Sequence, residues 1–364
     1  MAVLLLLVSI LSCSAPDPYR IGFLGSLTGP LGDTGVAARN GVILAIEQAN
    51  RAGNLSGRRV ELLIEDDGGT SERVLESMEY FAAQGVVGVV GPIRAEMARI
   101  AGPRAEKAKI VLISPAANSA DFPEWKDYFY RVSPSDKEEV QQLAELAFRK
   151  RGYRSISILY DLSNREFTDN RVRYFTDAME AFGGSIVQLT AYTTRDDTDF
   201  GLLAGQAGKN NPDAVFILAD TFDLARICRQ LKKQGHEIGL LASGWSVTPE
   251  LIRQAGAAVE GLEFYQSYDF DSTTALYQDF LNDYADRFHQ EPEVAALYAY
   301  ESAQIVLAAL EKAKKKKNLG EVIREITAFK GLQDTIVFDG QGIAERPLYH
   351  KKISNGAIVT VGRE

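Results

Sequence analysis

From residue 19 onward, short apolar runs alternate with amphipathic helical patterns, and this alternation constrains the fold more than any other feature. YRIGFL (19–24), RVELLIED (59–66), VVGVVG (86–91) and IVLIS (110–114) read as strands. Helical patterns over 36–51, 72–84 and 94–109 follow the first three; the last of these is interrupted near Gly102-Pro103. Nearly continuous apolar runs suit parallel strands covered on both faces. The βαβα order implies a doubly wound sheet. The pattern then restarts. Ser135 and Glu138 make a capping box, and Val140, Leu143, Ala144, Ala147 and Phe148 put one apolar stripe on the helix behind it. SISILYD (155–161), SIVQLTAY (185–192), AVFILA (214–219) and LLASG (240–244) read as strands, with helices at 172–182, 199–209, 223–234 and from Pro249. Two doubly wound units are expected, the second beginning near residue 134. Residues 273–288 and 296–317 read as long helices, and TIVFD (335–339) and PLYHKKIS (347–354) as strands.

A chain of 364 residues accommodates two such units. Its net charge of −9 argues against nucleic acid or an anionic membrane surface as partner, since both require basic patches. The opening MAVLLLLVSILSC has an apolar run too short to span a bilayer but suited to a signal-peptide core. Its end, Ile10-Leu11-Ser12-Cys13, resembles the lipobox of bacterial lipoproteins, which implies acylation of Cys13; a plain secretory signal with an incidental Cys is the other reading. With Cys13 lipidated, Cys228 has no disulfide partner and reads as a buried, inert thiol. Lys314 to Lys317 read as a solvated helix end.

Enzyme signatures are missing. The three histidines (His236, His289, His350) share no spacing, and HExxH, CxxC, GxSxG, the P-loop and the EF-hand loop do not occur. No catalytic residue, metal or cofactor is therefore expected. IGFLGSLTGPLGDTG (21–35) has the glycines of a loop between strand and helix, but Gly22, Gly25, Gly29, Gly32 and Gly35 do not fall as GxGxxG, and Pro30 stands where a dinucleotide fingerprint enters its helix.

That loop carries a different likeness. SLTGPLGDTGVAARNGVILAIEQANRAG (26–53) resembles the opening of type I periplasmic solute-binding proteins, and more narrowly of the leucine/isoleucine/valine receptors of ABC transporters. VELLIEDDGGTSERVLE (60–76), VVGVVGPIRAEMA (86–98), IVLISPAANSADF (110–122) and TIVFDGQGIAERPLY (335–349) follow in the family's order. The resemblance implies two Rossmann-like α/β lobes joined by three crossovers, near 131–133, 266–268 and 338. Lobe 1 would comprise 18–133 plus 267–337, and lobe 2 would comprise 134–266 plus 338–364. It also implies an extracytoplasmic receptor of an ABC importer, a monomer that binds an amino acid between the lobes and docks on permease subunits, held to the membrane only through Cys13. A sensory ligand-binding subunit of the same fold is the alternative role.

The family's site, carried onto this sequence, places the ligand carboxylate at Arg94, Ala95 and Glu96 after the third strand and at Ser114, Ala116 and Asn118 after the fourth. Ala95 stands where a Ser hydroxyl is usual, and Arg94 could replace that bond with a charge-assisted one. The ammonium would meet Asp220; the other reading of Asp220 is the N-cap of the following helix, and an N-cap Asp at a strand's end can do both. Trp245 would wall the side-chain pocket, Arg165 and Phe167 are the candidates in the loop 161–167 that contributes through an aromatic residue in the family, and Thr34 stands where the family often has Tyr. Trp245 and Phe167 lean the ligand toward a larger apolar or aromatic side chain. Were Asp220 only a cap, an aromatic carboxylate or an amide would fit better.

Overall fold

The computed structural model describes residues 16–29, 32–53, 55, 57–117, 128–313 and 318–363. Cys13, Asn118 and Lys314 to Lys317 lie outside the described residues.

The first half builds β1 (Tyr19–Gly25), α1 (Gly32–Ala52), β2 (Val60–Asp66), α2 (Ser71–Ala83), β3 (Gly88–Val90), α3 (Ala95–Ala108), β4 (Val111–Ser114) and β5 (Phe129–Arg131). All five strands are parallel, in the order β2-β1-β3-β4-β5. Alternate side chains feed opposite faces. Phe23, Val90, Val111 and Ile113 enter one buried cluster, while Leu24, Val89 and Leu112 enter another with α2 and α3. This explains why the strands read as unbroken apolar runs.

The second half repeats the plan with α4 (Asp136–Glu145), β6 (Ser155–Asp161), α5 (Arg165–Phe182), β7 (Ser185–Tyr192), α6 (Phe200–Ala207), β8 (Ala214–Leu218), α7 (Thr221–Lys233), β9 (Gly239–Ala242), α8 (Pro249–Ala255) and β10 (Glu263–Gln266). The order β7-β6-β8-β9-β10 matches that of the first sheet. Val215, Ile217 and Phe264 face α6, α7 and α8, whereas Ile158, Phe216 and Tyr265 face α4 and α5. Ser135 caps α4, accepting from the Lys137 N–H at 3.3 Å. The helix runs on through a π turn, Leu146–Lys150, before Gly152 turns left-handed.

The chain then returns to the first core through α9 (Ala275–Phe288), α10 (Val294–Lys312) and α11 (Leu319–Glu325), which bury Tyr284, Leu297, Val306 and Ile323 in the cluster that holds Phe23 and Ile113. A small antiparallel sheet, β11 (Phe329–Lys330), β12 (Thr335–Phe338) and β13 (Ala344–Glu345), leads to β14 (Tyr349–Ser354) and β15 (Ala357–Arg363). β14 pairs antiparallel with β10 and β15 antiparallel with β14, which puts both at the edge of the second sheet. The backbone therefore passes between the two sheets three times: after β5, after β10 and after β13.

Three details differ from the sequence reading. The region 94–109 is one continuous helix with Pro103 inside it; Pro103 is exposed, and α3 absorbs the loss of one backbone donor. β5, β10, β11, β13 and β15 have no counterpart among the strands read from the sequence, and α11 has none among the helices. Finally, α10 begins two residues earlier than expected, at Val294. Among the described residues no helix is long and apolar enough to cross a membrane.

Candidate functional site

Open sheets of this strand order place ligands in the crevice at the carboxyl ends of their strands. In the first sheet, the loop after β1 is tied down by the turn after β2. Asp66 accepts from the Leu27 N–H at 2.8 Å and from the Thr28 hydroxyl at 2.7 Å, and Asp67 accepts from the Ser26 hydroxyl at 2.6 Å. Ser26 and Thr28 are therefore structural. A Cβ on Gly35 would sit 1.8 Å from the Ser26 carbonyl oxygen, so glycine there is what lets α1 start against this loop. Thr34, half-buried in the first turn of α1, lies beside it.

The loops after β3 and β4 share one knot. Ser114, fully buried, donates its hydroxyl to the Pro92 carbonyl at 2.5 Å and accepts from the Ala117 N–H at 3.0 Å. Its one hydrogen is thus already committed within the protein. Ala116 is half-buried. Arg94 is the N-cap residue of α3 without a side-chain cap bond; it reaches the exposed Glu96 at 3.3 Å, and its Nε is buried without a partner among the described residues. Ala95 opens the helix behind it.

Across the crevice, Asp220 is exposed and caps α7, accepting from the Asp223 N–H at 2.8 Å. Arg165, also exposed, pairs with Asp169 one helical turn on, at 3.3 Å. Phe167 is half-buried, and the Arg171 guanidinium stacks over its ring at 4.3 Å. Arg171 is fully buried and donates to Glu139 at 3.1 Å, so Phe167 joins a buried chain of contacts rather than an open wall.

That chain leads to the junction of the three crossings. A small pocket there is lined by Ser133 and Pro134 from the first crossing, Gln266 and Ser267 from the second, and Leu348 from the third. Glu139 of α4, Gly244 and Trp245 after β9, Tyr265 of β10, and Val294 and Tyr298 of α10 complete it. The 3-10 turn Gly244–Ser246 is pressed against β10: a Cβ on Gly244 would fall 2.3 Å from the Tyr265 carbonyl oxygen. This close approach aims Trp245 across the junction, where its ring packs on Tyr298 with centroids 6.1 Å apart. Trp245 thus reaches from the second sheet into the first core. The remaining void is about 20 Å³.

Behind Tyr298 lies a buried polar knot. Glu301 accepts from the Tyr268 hydroxyl, the Leu332 N–H and Arg346, and the Tyr298 and Ser267 hydroxyls share a hydrogen bond. Burial pushes the Tyr298 hydroxyl up to about 12. Asp136, also buried, is raised from 3.8 to about 6 by desolvation; Arg171 and Arg131 oppose the rise and Glu139 adds to it. A larger, open concavity of about 530 Å³ is lined by Ser135, Lys137, Glu138, Arg173, Tyr174, Asp339, Gln341 and residues 343–345, and none of the expected residues that are described is among them.

Of the expected residues that are described, only Trp245 lines the junction pocket, and Phe167 connects to it through Arg171 and Glu139. Arg94, Ala95, Glu96, Ser114, Ala116 and Thr34 stand at the first sheet's crevice edge, Asp220 and Arg165 at the second's. Sequence reasoning missed Ser133, Glu139, Gln266 and Tyr298. The nearest signal for two of them was position, since Ser133 and Gln266 fall at the first two crossings the resemblance implied. Among the described residues no group of three or more His, Cys, Asp or Glu is placed to hold a metal ion. Cys228 is free and buried, and burial pushes its thiol up to about 12.

Two doubly wound sheets of the same strand order, linked by three chain crossings around a shared pocket, define a bilobal α/β ligand-binding fold. The family model described as periplasmic binding protein matches residues 18–362, and the chain belongs to that family. It is 22% identical over 335 residues to the leucine-, isoleucine-, valine-, threonine- and alanine-binding protein of Pseudomonas aeruginosa, covering 90% of this chain and 87% of that one. Among solved structures, the branched-chain amino acid transporter substrate-binding protein of Streptococcus pneumoniae in complex with isoleucine superposes with a TM-score of 0.84 at 22% identity, covering 95% of this chain and 99% of the other. A Rhodopseudomonas palustris ABC-transporter solute-binding protein in complex with benzoate superposes with a TM-score of 0.82 at 17% identity, covering 95% and 96%.

Proposed function

We propose that this chain is an extracytoplasmic receptor that closes on an amino acid and presents the closed form to the permease of an ABC importer. One observation carries the reading: the pocket draws its walls from all three crossings, from the second sheet's Trp245 and from the first core's Tyr298. A ligand that reaches into it touches all three crossings, so binding and hinge closure are coupled through the same residues. Lobe 1 is assigned to residues 18–133 plus 267–337 and lobe 2 to 134–266 plus 338–364. The receptor acts as a monomer without a bond-making step, lipid-anchored through Cys13 on the periplasmic face or outer cell surface. Relatives named for leucine, isoleucine and valine binding support the ligand class.

An aromatic carboxylate is the second reading. It is favoured by Asp220 being an exposed helix cap, by the aromatic Trp245–Tyr298 wall, and by the benzoate-bound neighbour. Thermal shift of the protein against L-amino acids and against aryl acids separates the two. A ligand at about 100 times its Kd adds about 2.7 kcal/mol. The amino-acid reading fails if aryl acids raise the midpoint and no amino acid does. Mass spectrometry of membrane-bound protein tests the anchor, which requires acyl chains on Cys13.

A further inference from the structure

The junction pocket presents more hydrogen-bond acceptors than the chain satisfies. Ser133 is 2% exposed, and its Oγ has no partner among the described residues. Gln266 is 9% exposed; its Nε2 donates to the Gly244 carbonyl at 2.8 Å, which fixes the amide's orientation, and its Oε1 has no partner among the described residues. Glu139 is 8% exposed. Its Oε2 takes the Arg171 bond at 3.1 Å, whereas Oε1 receives only long contacts, 3.4 Å from the Gly244 N–H and 3.5 Å from the Ser243 hydroxyl. Gly244 holds two of these side chains at one place, its N–H toward Glu139 and its carbonyl toward Gln266.

Buried polar atoms without partners are rare in folded proteins, and two of them beside a carboxylate oxygen with only long contacts, all around one void, are a demand for a donor. A space of about 20 Å³ takes a single water-sized group. A group of that size, rich in donors and attracted by a carboxylate, is a primary ammonium. We propose that Ser133, Glu139 and Gln266 form the ammonium subsite of the ligand, with the ligand's apolar body against Trp245. This rests on the amino-acid reading above and assigns to Glu139 the counter-ion role that the family resemblance implied for Asp220. Asp220 already spends its carboxylate on the α7 N-terminus in open solvent, whereas Glu139 meets the ligand inside the junction.

Calorimetric titration of the protein with L-leucine, L-phenylalanine and their deaminated analogues (4-methylpentanoate and 3-phenylpropanoate) tests the assignment. Ser133→Ala and Gln266→Leu are the primary variants, because neither removes half of an ion pair. Each should weaken amino-acid binding about tenfold or more, the scale of a lost bond to a charged donor, while Asp220→Asn keeps the wild-type affinity. Amino-acid affinity unchanged in both primary variants overturns the subsite and identifies the void as a water site, leaving the receptor reading standing. Wild-type protein that binds the deaminated acids as tightly as the amino acids overturns the amino-acid reading and this subsite with it.

Discussion

Replacing Arg346 with Leu removes the cation from the buried knot behind the pocket. Side chains of Arg346 and Glu301 are 4% and 2% exposed, so water cannot substitute for the lost partner. Glu301 would keep two neutral donors, the Tyr268 hydroxyl and the Leu332 N–H at 2.7 Å. The guanidinium also sits 5.0 Å from the Tyr268 ring centroid and 5.3 Å from that of Tyr298, contacts that vanish with it. Leaving one partner of a buried pair uncompensated costs about 3–5 kcal/mol; the two surviving bonds place this case near the lower end, at about 3 kcal/mol. For a unit of this size that is a fall of roughly 6–12 °C in Tm, at about 2–4 °C per kcal/mol. Adding Glu301→Gln to Arg346→Leu removes the stranded charge and should recover about 2 kcal/mol, a coupling measurable in a double-mutant cycle. The assay is urea unfolding at neutral pH followed by two spectroscopic probes, with coincident transitions required before ΔG values are compared. A loss below about 1 kcal/mol for the single variant, or a double variant no better than the single, refutes the knot as a buried charge pair that depends on Arg346.

Gly244→Ala should lower stability by about 1–3 kcal/mol and weaken ligand binding together, because the new Cβ must push the Trp245 turn off the Tyr265 carbonyl; intact binding in a folded variant, read by titration, counts against Trp245 as a pocket wall. Glu263, between His350 at 2.7 Å and Arg151 at 2.6 Å, is held down from 4.5 to about 2, since those hydrogen bonds outweigh the burial that would raise it. Its contribution to stability is complete above about 4.5 and is lost as pH falls toward about 2, so Glu263→Gln should flatten the acid limb of the unfolding profile. Asp136 has the opposite sign: raised to about 6, it favours the folded state fully below about 3.8 and loses that contribution as pH rises through about 6. Asp136→Asn should therefore stabilise the protein at neutral pH by about 1–3 kcal/mol and erase the slope between these values, as read by calorimetric scans across the range.

The residues that were legible from sequence are those whose burial is local. β1, β6 and β8 bury both faces of a parallel sheet, so hydrophobicity alone exposes them, and their repetition gives two lobes. β10 is illegible for the opposite reason: EFYQ buries Glu263 and Gln266, and the groups that meet them are distant in the chain, Arg151 and His350 on Glu263 and the Gly244 carbonyl on the Gln266 amide N–H. β15 is half-exposed at a sheet edge, and its AIVTVGR pattern has no helix behind it to mark a β/α unit. The site divides in the same way. Trp245 could be named because it follows an apolar strand at the edge where ligands gather. Glu139 could not, because on α4 it looks like one more acid in a helical first turn beside Asp136 and Glu138. Only the fold reveals that its carboxylate stands between a fully buried Arg171 and the Gly244 turn. Asp220 shows the converse: position at a strand's end made it attractive, and the capping bond it makes is just as local. A carboxylate at the end of a β/α strand is over-determined by capping, so its identity carries little information about a ligand. Glu139 stands in a first turn too, yet its carboxylate leaves the helix end for the Gly244 turn and Arg171, and at that position geometry alone assigns the role.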